Sequence, residues 1–204
     1  MKQVELKKGI VQCSYPNRYE QLNNLMPHSS DSSIEQTELL NNREYLLNEY
    51  RKVQPFRVST GKKLWVDYEK FKPEYNLREI LNNEIVIEFD SPYLNLNWEA
   101  INETAINLYK ANITFEIWDH KGKSPHLHIH NLPLSTLDKE KRAIFKKVFI
   151  RTYVPKKYLP FVDLSLTGIH LIALEWAFHW KGCYDFKKLL YKFEPIQDGV
   201  GGSL

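Results

Sequence analysis

Residues 84–90 read EIVIEFD, and residues 125–132 read PHLHIHNL. The β-branched run of the first predicts a strand, ended by Ser91-Pro92 because proline cannot extend a ladder. The second alternates histidine with Leu127 and Ile129, so a strand there carries His126, His128 and His130 on one side. Between them, residues 97–109 (NWEAINETAINLY) predict a helix opening at Asn97, with Trp98, Ile101, Ala105 and Leu108 on one face. Residues 113–119 (ITFEIWD) predict another strand and residues 120–124 (HKGKS) a turn.

Further along, STLDKEKRAIFKKVFIRTYV predicts a basic amphipathic helix over 138–152, with Ile144, Phe145, Val148 and Phe149 turned inward. Residues 169–176 (IHLIALEW) predict a fourth strand. The order β-α-β-β-α-β predicts an α+β fold of RRM-like (ferredoxin-like) type, with sheet order 4-1-3-2. In that order the end of strand one lies beside the starts of strands three and four. Glu88 and Asp90, then Ser124 and His126, then Asp163 converge there.

Upstream, Ser33 and Gln36 form a capping box for a helix over 34–53, and FRVSTGKKLWVDY reads as strand, glycine turn and short strand. The expected organisation is an N-terminal extension over 1–55, a core over 56–195 and a loose tail over 196–204. Hydrophobic content of 43% with 26% charged residues is a globular composition. The opening MKQVELKKGI lacks the apolar stretch of a secretory signal, and the longest apolar run is broken by His170 and Glu175, so no membrane span is expected. Cys13 and Cys183 stand alone, which suits a cytoplasmic location and excludes a cysteine zinc ribbon. The net charge of +3 is unevenly spread: residues 121–157 hold ten Lys/Arg against two acids. That run is a solvated face or a polyanion site, and in the second case Lys139, Arg142, Lys146 and Lys147 contact nucleic-acid phosphates.

Glu88 and Asp90 sit two apart on one strand and so share a face. Either the strand end reaches solvent there, or a divalent cation offsets their repulsion; with Asp163 the set suffices for two Mg²⁺ or Mn²⁺ ions. The histidines are core or solvated groups, or His126 with Lys123 and Ser124 binds triphosphate oxygens. Gly122-Lys123-Ser124 is not a Walker loop, because Ile117 stands where its first glycine must be.

Together, the hydrophobic-E-x-D set over 85–90, Ser124-x-His126 and Val162-Asp163 resemble the three motifs of the archaeo-eukaryotic primase superfamily. The trailing HWKG, with His179 and Lys181, is similar to that family's H-x-K-x-G segment. The resemblance covers about residues 56–192. It implies a primase-polymerase-like nucleotidyltransferase in which Glu88, Asp90 and Asp163 bind Mg²⁺ or Mn²⁺. Lys123, Ser124, His126, His179 and Lys181 then bind the nucleotide. Its implied partners are a DNA template, a primer, nucleoside triphosphates and an accessory replication subunit. The chain departs from the family at Ala173 and Ala177, where many members carry Arg and Ser, and it lacks a cysteine/histidine zinc module. Two other readings stand beside this one: a non-catalytic primase-like subunit that binds nucleic acid, and a rolling-circle-type endonuclease. The latter rests on the HLH set with Tyr184 and Lys187.

Overall fold

The computed structural model describes residues 32–60, 65–70, 76–119, 124–177 and 186–195. They form an α+β fold with three α-helices and two four-stranded antiparallel sheets. The elements are α1 (Ser32–Val53), β1 (Arg57–Ser59), β2 (Val66–Asp67), β3 (Leu77–Glu79), β4 (Ile85–Glu88) and α2 (Leu94–Lys110). They continue with β5 (Phe115–Asp119), β6 (His126–Ile129), α3 (Lys139–Tyr153), β7 (Leu171–Ala173) and β8 (Lys188–Phe193). Two 3₁₀ segments, Lys156–Phe161 and Leu164–Thr167, join α3 to β7. No helix among the described residues is long and apolar enough to cross a membrane.

The second sheet, in order β4-β6-β5-β8, holds three strands that carry the sequence signal, β4, β5 and β6, and one that the sequence reading did not predict, β8. Its alternation separates two chemistries. Ile85, Ile87, Phe115, Ile117, Leu127 and Ile129 turn to one side and form the main core with Ile101, Ala105 and Leu108 of α2 and Phe149 and Ile150 of α3. Each fully buried aliphatic side chain there stabilises the fold by roughly 1.5–3 kcal/mol relative to exposure. The opposite face carries Glu84, Glu88, Glu116, His126, His128 and His130, and it turns toward the first sheet, β2-β1-β3-β7. Helix α1 packs on the same face of the first sheet as Arg78, its Leu47 and Tyr50 meeting Phe56, Val58, Leu81 and Leu174.

The expected 4-1-3-2 order is not the one that forms. Strands one, three and two are neighbours as β4, β6 and β5, but the fourth predicted strand, β7, leaves the sheet and pairs with β3, Leu77 opposite Ala173. The place beside β4 is taken by residues 161–163. There Phe89 bridges Val162, the Asp90 N–H donates to the Phe161 carbonyl (2.7 Å), and the Asp163 N–H donates to the Glu88 carbonyl (3.0 Å). The free edge of β5 is taken by β8, Phe115 opposite Phe193.

Two helices also differ from expectation. Helix α2 begins at Leu94, three residues before the expected cap, and Tyr93 occupies the N-cap without a side-chain capping bond. Helix α3 is rotated: Ile144 and Val148 are 61% and 55% exposed, while Lys146 is 2% exposed. The buried stripe is Lys146, Phe149 and Ile150, and α3 is capped by Asp138, whose carboxylate accepts from the Lys141 N–H. Phe149→Ala is therefore expected to lower unfolding free energy by about 3 kcal/mol. Val148→Ala is expected to change it by no more than about 0.5 kcal/mol; chemical denaturation of both variants reads the rotation directly, and equal losses would refute it.

Candidate functional site

At the seam between the sheets, charges that the sequence reading passed over are buried together. Arg78 of β3 is fully buried, and all five guanidinium N–H groups find acceptors. Two go to Glu175 (2.7 and 2.7 Å), two to Glu84 (2.8 and 2.7 Å) and one to the Glu79 carbonyl (3.0 Å). Tyr50 stacks under the guanidinium at 4.5 Å, and Glu84 also accepts from the Leu81 N–H. Burial alone would raise the pKa values of Glu84 and Glu175, but the Arg78 charge outweighs it and holds both well below the usual carboxylate range.

Lys187, just before β8, enters the same cluster and donates to the Ala173 carbonyl (2.9 Å), Glu175 (3.3 Å) and His128 Nε2 (3.1 Å). These contacts engage all three of its N–H donors. His128 is fully buried, and its Nδ1 lies 3.1 Å from Glu84 Oε1 and 3.3 Å from Glu175 Oε1, wedged between them rather than aligned with either. Burial, reinforced by the Lys187 charge, drives the His128 pKa down to about 3. For His130 burial works the same way, but the Glu116 and Glu84 carboxylates outweigh it and raise the pKa. The turn that delivers Glu175 is strained: Trp176 has φ 58°, an uncommon conformation for a bulky residue. Trp176 N–H donates to the Lys187 carbonyl (2.8 Å), and its ring packs edge-on to Trp118.

Among the described residues, the group of His, Cys, Asp or Glu whose ligand atoms lie within 4.8 Å of one another is Glu84, His128 and His130. Its surroundings do not suit a cation. An ion on His128 Nδ1 would require a proton on Nε2, where the Lys187 ammonium already donates. Arg78 and Lys187 already balance Glu84 and Glu175, so a dication would arrive as uncompensated buried charge.

The face changes character toward the other end of the sheet, where the residues singled out from sequence lie. Glu88 stands opposite His126 in the β4–β6 register, with His126 Nε2 3.4 Å from Glu88 Oε2. His126 is buried, and its Nδ1 has no hydrogen-bond partner among the described residues. Asp163 joins Glu88 through the backbone bond described above, while its carboxylate accepts from the Ser165 N–H (2.9 Å) and caps the 3₁₀ segment. Asp90 is exposed at the strand end. Asn97, buried on α2, ties this edge to the next segment: its Nδ2 donates to Ser124 Oγ (3.0 Å) and to the Ser91 carbonyl (3.1 Å), and its Oδ1 accepts from the Ser91 N–H (3.0 Å). The structure thus gathers Glu88, Asp90, Ser124, His126 and Asp163 at one edge. Lys123, His179, Lys181 and Tyr184 lie outside the described residues.

The basic helix does not offer its four cations alike. Lys139 and Lys147 are exposed. Arg142 donates to the Leu134 and Leu137 carbonyls and to Asn82 Oδ1. Buried Lys146 faces the Leu81 carbonyl at 3.4 Å, and desolvation lowers its pKa to about 8. Arg142 and Lys146 are therefore structural in this fold, and the exposed neighbours Lys141 and Arg151 take their place on the solvent side. Of the residues that sequence reasoning missed, Arg78 sits in a three-residue strand with no periodic signal. Glu175 did carry a signal, as a lone acid in an apolar run. Ala173 and Ala177 are both buried, and the Ala173 carbonyl serves Lys187. The chain matches no family model, no curated protein and no solved structure.

Two outcomes follow from this cluster. Arg78→Met leaves buried Glu84 without a cationic partner and Glu175 with Lys187 alone, and is expected to cost about 3–5 kcal/mol, read by denaturant unfolding. The pH dependence is set by His128: its folded pKa is near 3 against 6.5 unfolded, so between those values the unfolded chain binds the extra proton. Stability therefore falls as pH is lowered across that window, by about 1.4 kcal/mol per pH unit. Glu84 and Glu175, with depressed pKa values, add their loss only below about pH 4.5, and His130, with a raised one, loses its contribution only above about pH 6.5. His128→Gln is expected to remove about 1.4 kcal/mol per unit from the slope between pH 4.5 and 6, measured by denaturant midpoints at each pH; an unaltered slope would contradict a neutral buried His128.

Proposed function

We propose that the protein is a template-directed nucleotidyltransferase of primase-polymerase type, working at the sheet edge formed by Glu88, Asp90, Asp163, Ser124 and His126. The observation that carries this reading is the meeting of three chain segments far apart in sequence. Glu88 pairs with His126 across β4 and β6, and the Glu88 carbonyl holds the Asp163 N–H. Asn97 fixes Ser124 to the turn that follows Asp90.

The donor set suits Mg²⁺ or Mn²⁺, since all three candidate ligands are carboxylates at a solvent-accessible edge. Their oxygens do not converge as the ligand atoms of Glu84, His128 and His130 do, which fits ions that keep waters and complete their shell with substrate phosphates. Bound there, the ions would supply activation of a 3′-hydroxyl and charge neutralisation at the leaving pyrophosphate. The chain's own residues position the substrate. Ser124 Oγ, held by Asn97, faces the phosphates; His126 lies against Glu88, with its buried Nδ1 unpartnered among the described residues. Phosphoryl transfer depends mostly on such positioning and electrostatics. The exposed cations of α3, Lys139 and Lys147 with Lys141 and Arg151, suit the template or primer backbone.

The rolling-circle alternative asks His126 and His128 to share an ion. His128 has Nε2 against Lys187 and Nδ1 between two carboxylates, which argues against that use. The test is incorporation of labelled nucleotide on a single-stranded template, with and without primer, in Mg²⁺ or Mn²⁺. Asp90→Ala is expected to reduce incorporation to background while leaving the unfolding transition in place, because the side chain is exposed. Equal incorporation by variant and parent would sink the metal assignment; template binding without any incorporation would favour the non-catalytic subunit.

A further inference from the structure

Tyr93 is the most exposed large hydrophobic side chain of the described residues, at 72%. It stands three residues beyond Asp90, and no ring or cation lies against it among the described residues. Exposed aromatics on loose loops are common, but this one is held. Pro92 restricts the preceding backbone. The Tyr93 N–H donates to Ser91 Oγ (3.1 Å), and the Tyr93 carbonyl accepts from the Leu96 and Asn97 N–H groups (3.0 and 3.2 Å). Ser91 is itself clamped on both backbone groups by Asn97, whose remaining donor holds Ser124. One buried amide thus fixes the turn bearing the ring, and it does so in register with the candidate phosphate-binding serine.

We infer that Tyr93 is a base-stacking residue: its ring takes the π-face of a nucleobase beside the Glu88/Asp90 edge. A ring whose backbone is already fixed loses little freedom on stacking, so more of the contact energy is realised. The surroundings narrow the ligand. Its exposed neighbours along the chain are Asp90, Pro92 and Asn95, so the ring has polar side chains and one proline beside it and no second exposed large apolar side chain. A lipid surface or an apolar protein partner would need a contiguous apolar patch. A single flat, polar-edged ligand does not. The base belongs either to the incoming nucleotide or to the single-stranded template. The inference rests on the nucleotidyltransferase reading for the nature of the ligand, and not on catalysis itself.

The test uses the full chain and two probes. One is a fluorescently labelled single-stranded DNA, followed by anisotropy in EDTA so that no chemistry occurs. The other is a fluorescent nucleoside triphosphate titrated in Mg²⁺. Tyr93→Ala is expected to weaken one of them by roughly 5- to 100-fold, the range for loss of one aromatic–base stack. Tyr93→Phe is expected to stay close to the parent, because the ring and not the hydroxyl makes the contact. If the DNA arm responds, replacing bases with abasic residues should erase the difference between Tyr93→Ala and parent. The arm that responds identifies the source of the base. Unchanged affinity of Tyr93→Ala in both arms overturns the inference, as does a Phe variant as weak as the Ala variant. A parent that binds neither probe overturns it together with the nucleotidyltransferase reading. Loss of affinity on Tyr93→Ala in a parent that incorporates no nucleotide leaves the stacking residue standing and rejects only the catalytic assignment.

Discussion

The arrangement of the two sheets depends on one buried guanidinium. Arg78 comes from the first sheet, and its two carboxylate partners come from the residue before β4 and the turn after β7. Removing these charges from water is costly, and their attraction repays it only because every guanidinium donor is used and the carboxylates sit in bidentate geometry. The network specifies as well as stabilises. A β7 that stayed beside β4, as the ferredoxin-like order requires, would take Glu175 away from Arg78 and leave two of the five guanidinium donors without acceptors. Lys187 extends the same constraint to β8 by holding Glu175, the Ala173 carbonyl and His128 at once.

This constraint also divides one sheet face into two regions. Glu84 and His128 are sealed under Arg78 and Lys187, whereas Glu88, four residues on from Glu84, and His126, two residues before His128, approach the edge. The residue types are the same, and hydration separates their roles. At the sealed end each carboxylate is committed to a cation, so a metal or substrate phosphate would have to displace an existing ion pair. At the edge Glu88 keeps 25% of its side chain exposed, so a ligand can reach it from solvent. The residues of the proposed site therefore lie at the more hydrated end of the face, while the tightest cluster of ligand-type atoms lies in the interior.

What was legible in the sequence follows from the same physics. Strands β4, β5 and β6 and helix α2 declare themselves because one face of each is apolar and the period is clean. The destination of β7 was not legible. Periodicity establishes a strand, but its partner here is chosen by the contact of Glu175 with Arg78, across a separation of 97 residues. Strand β3, at three residues, is too short to show a pattern. Helix α3 misled for a different reason: its sequence holds more apolar side chains than one face can bury. Hydropathy favoured Ile144, Phe145, Val148 and Phe149, but the chain buries Lys146 with Phe149 and Ile150 and draws Arg142 into hydrogen bonds with the 134–137 turn.

Asp163 shows how a residue can reach its expected neighbour by a different route from the expected one. The expectation placed it beside Glu88 because a fourth strand was to run there. The structure brings it to the same neighbourhood without that strand, through a single bridge of Phe89 with Val162 and two backbone bonds. A β-edge with unpaired N–H and C=O groups has to be covered by something, and the 161–163 segment covers β4 just where its carboxylates begin. The segment then turns at once into a 3₁₀ helix capped by Asp163 itself. Backbone pairing, local capping and the convergence of acidic residues are thus met by one residue. For that reason the capping role of Asp163 does not argue against a part in ligand binding: the cap uses Oδ1 and leaves the orientation of the carboxylate fixed from below.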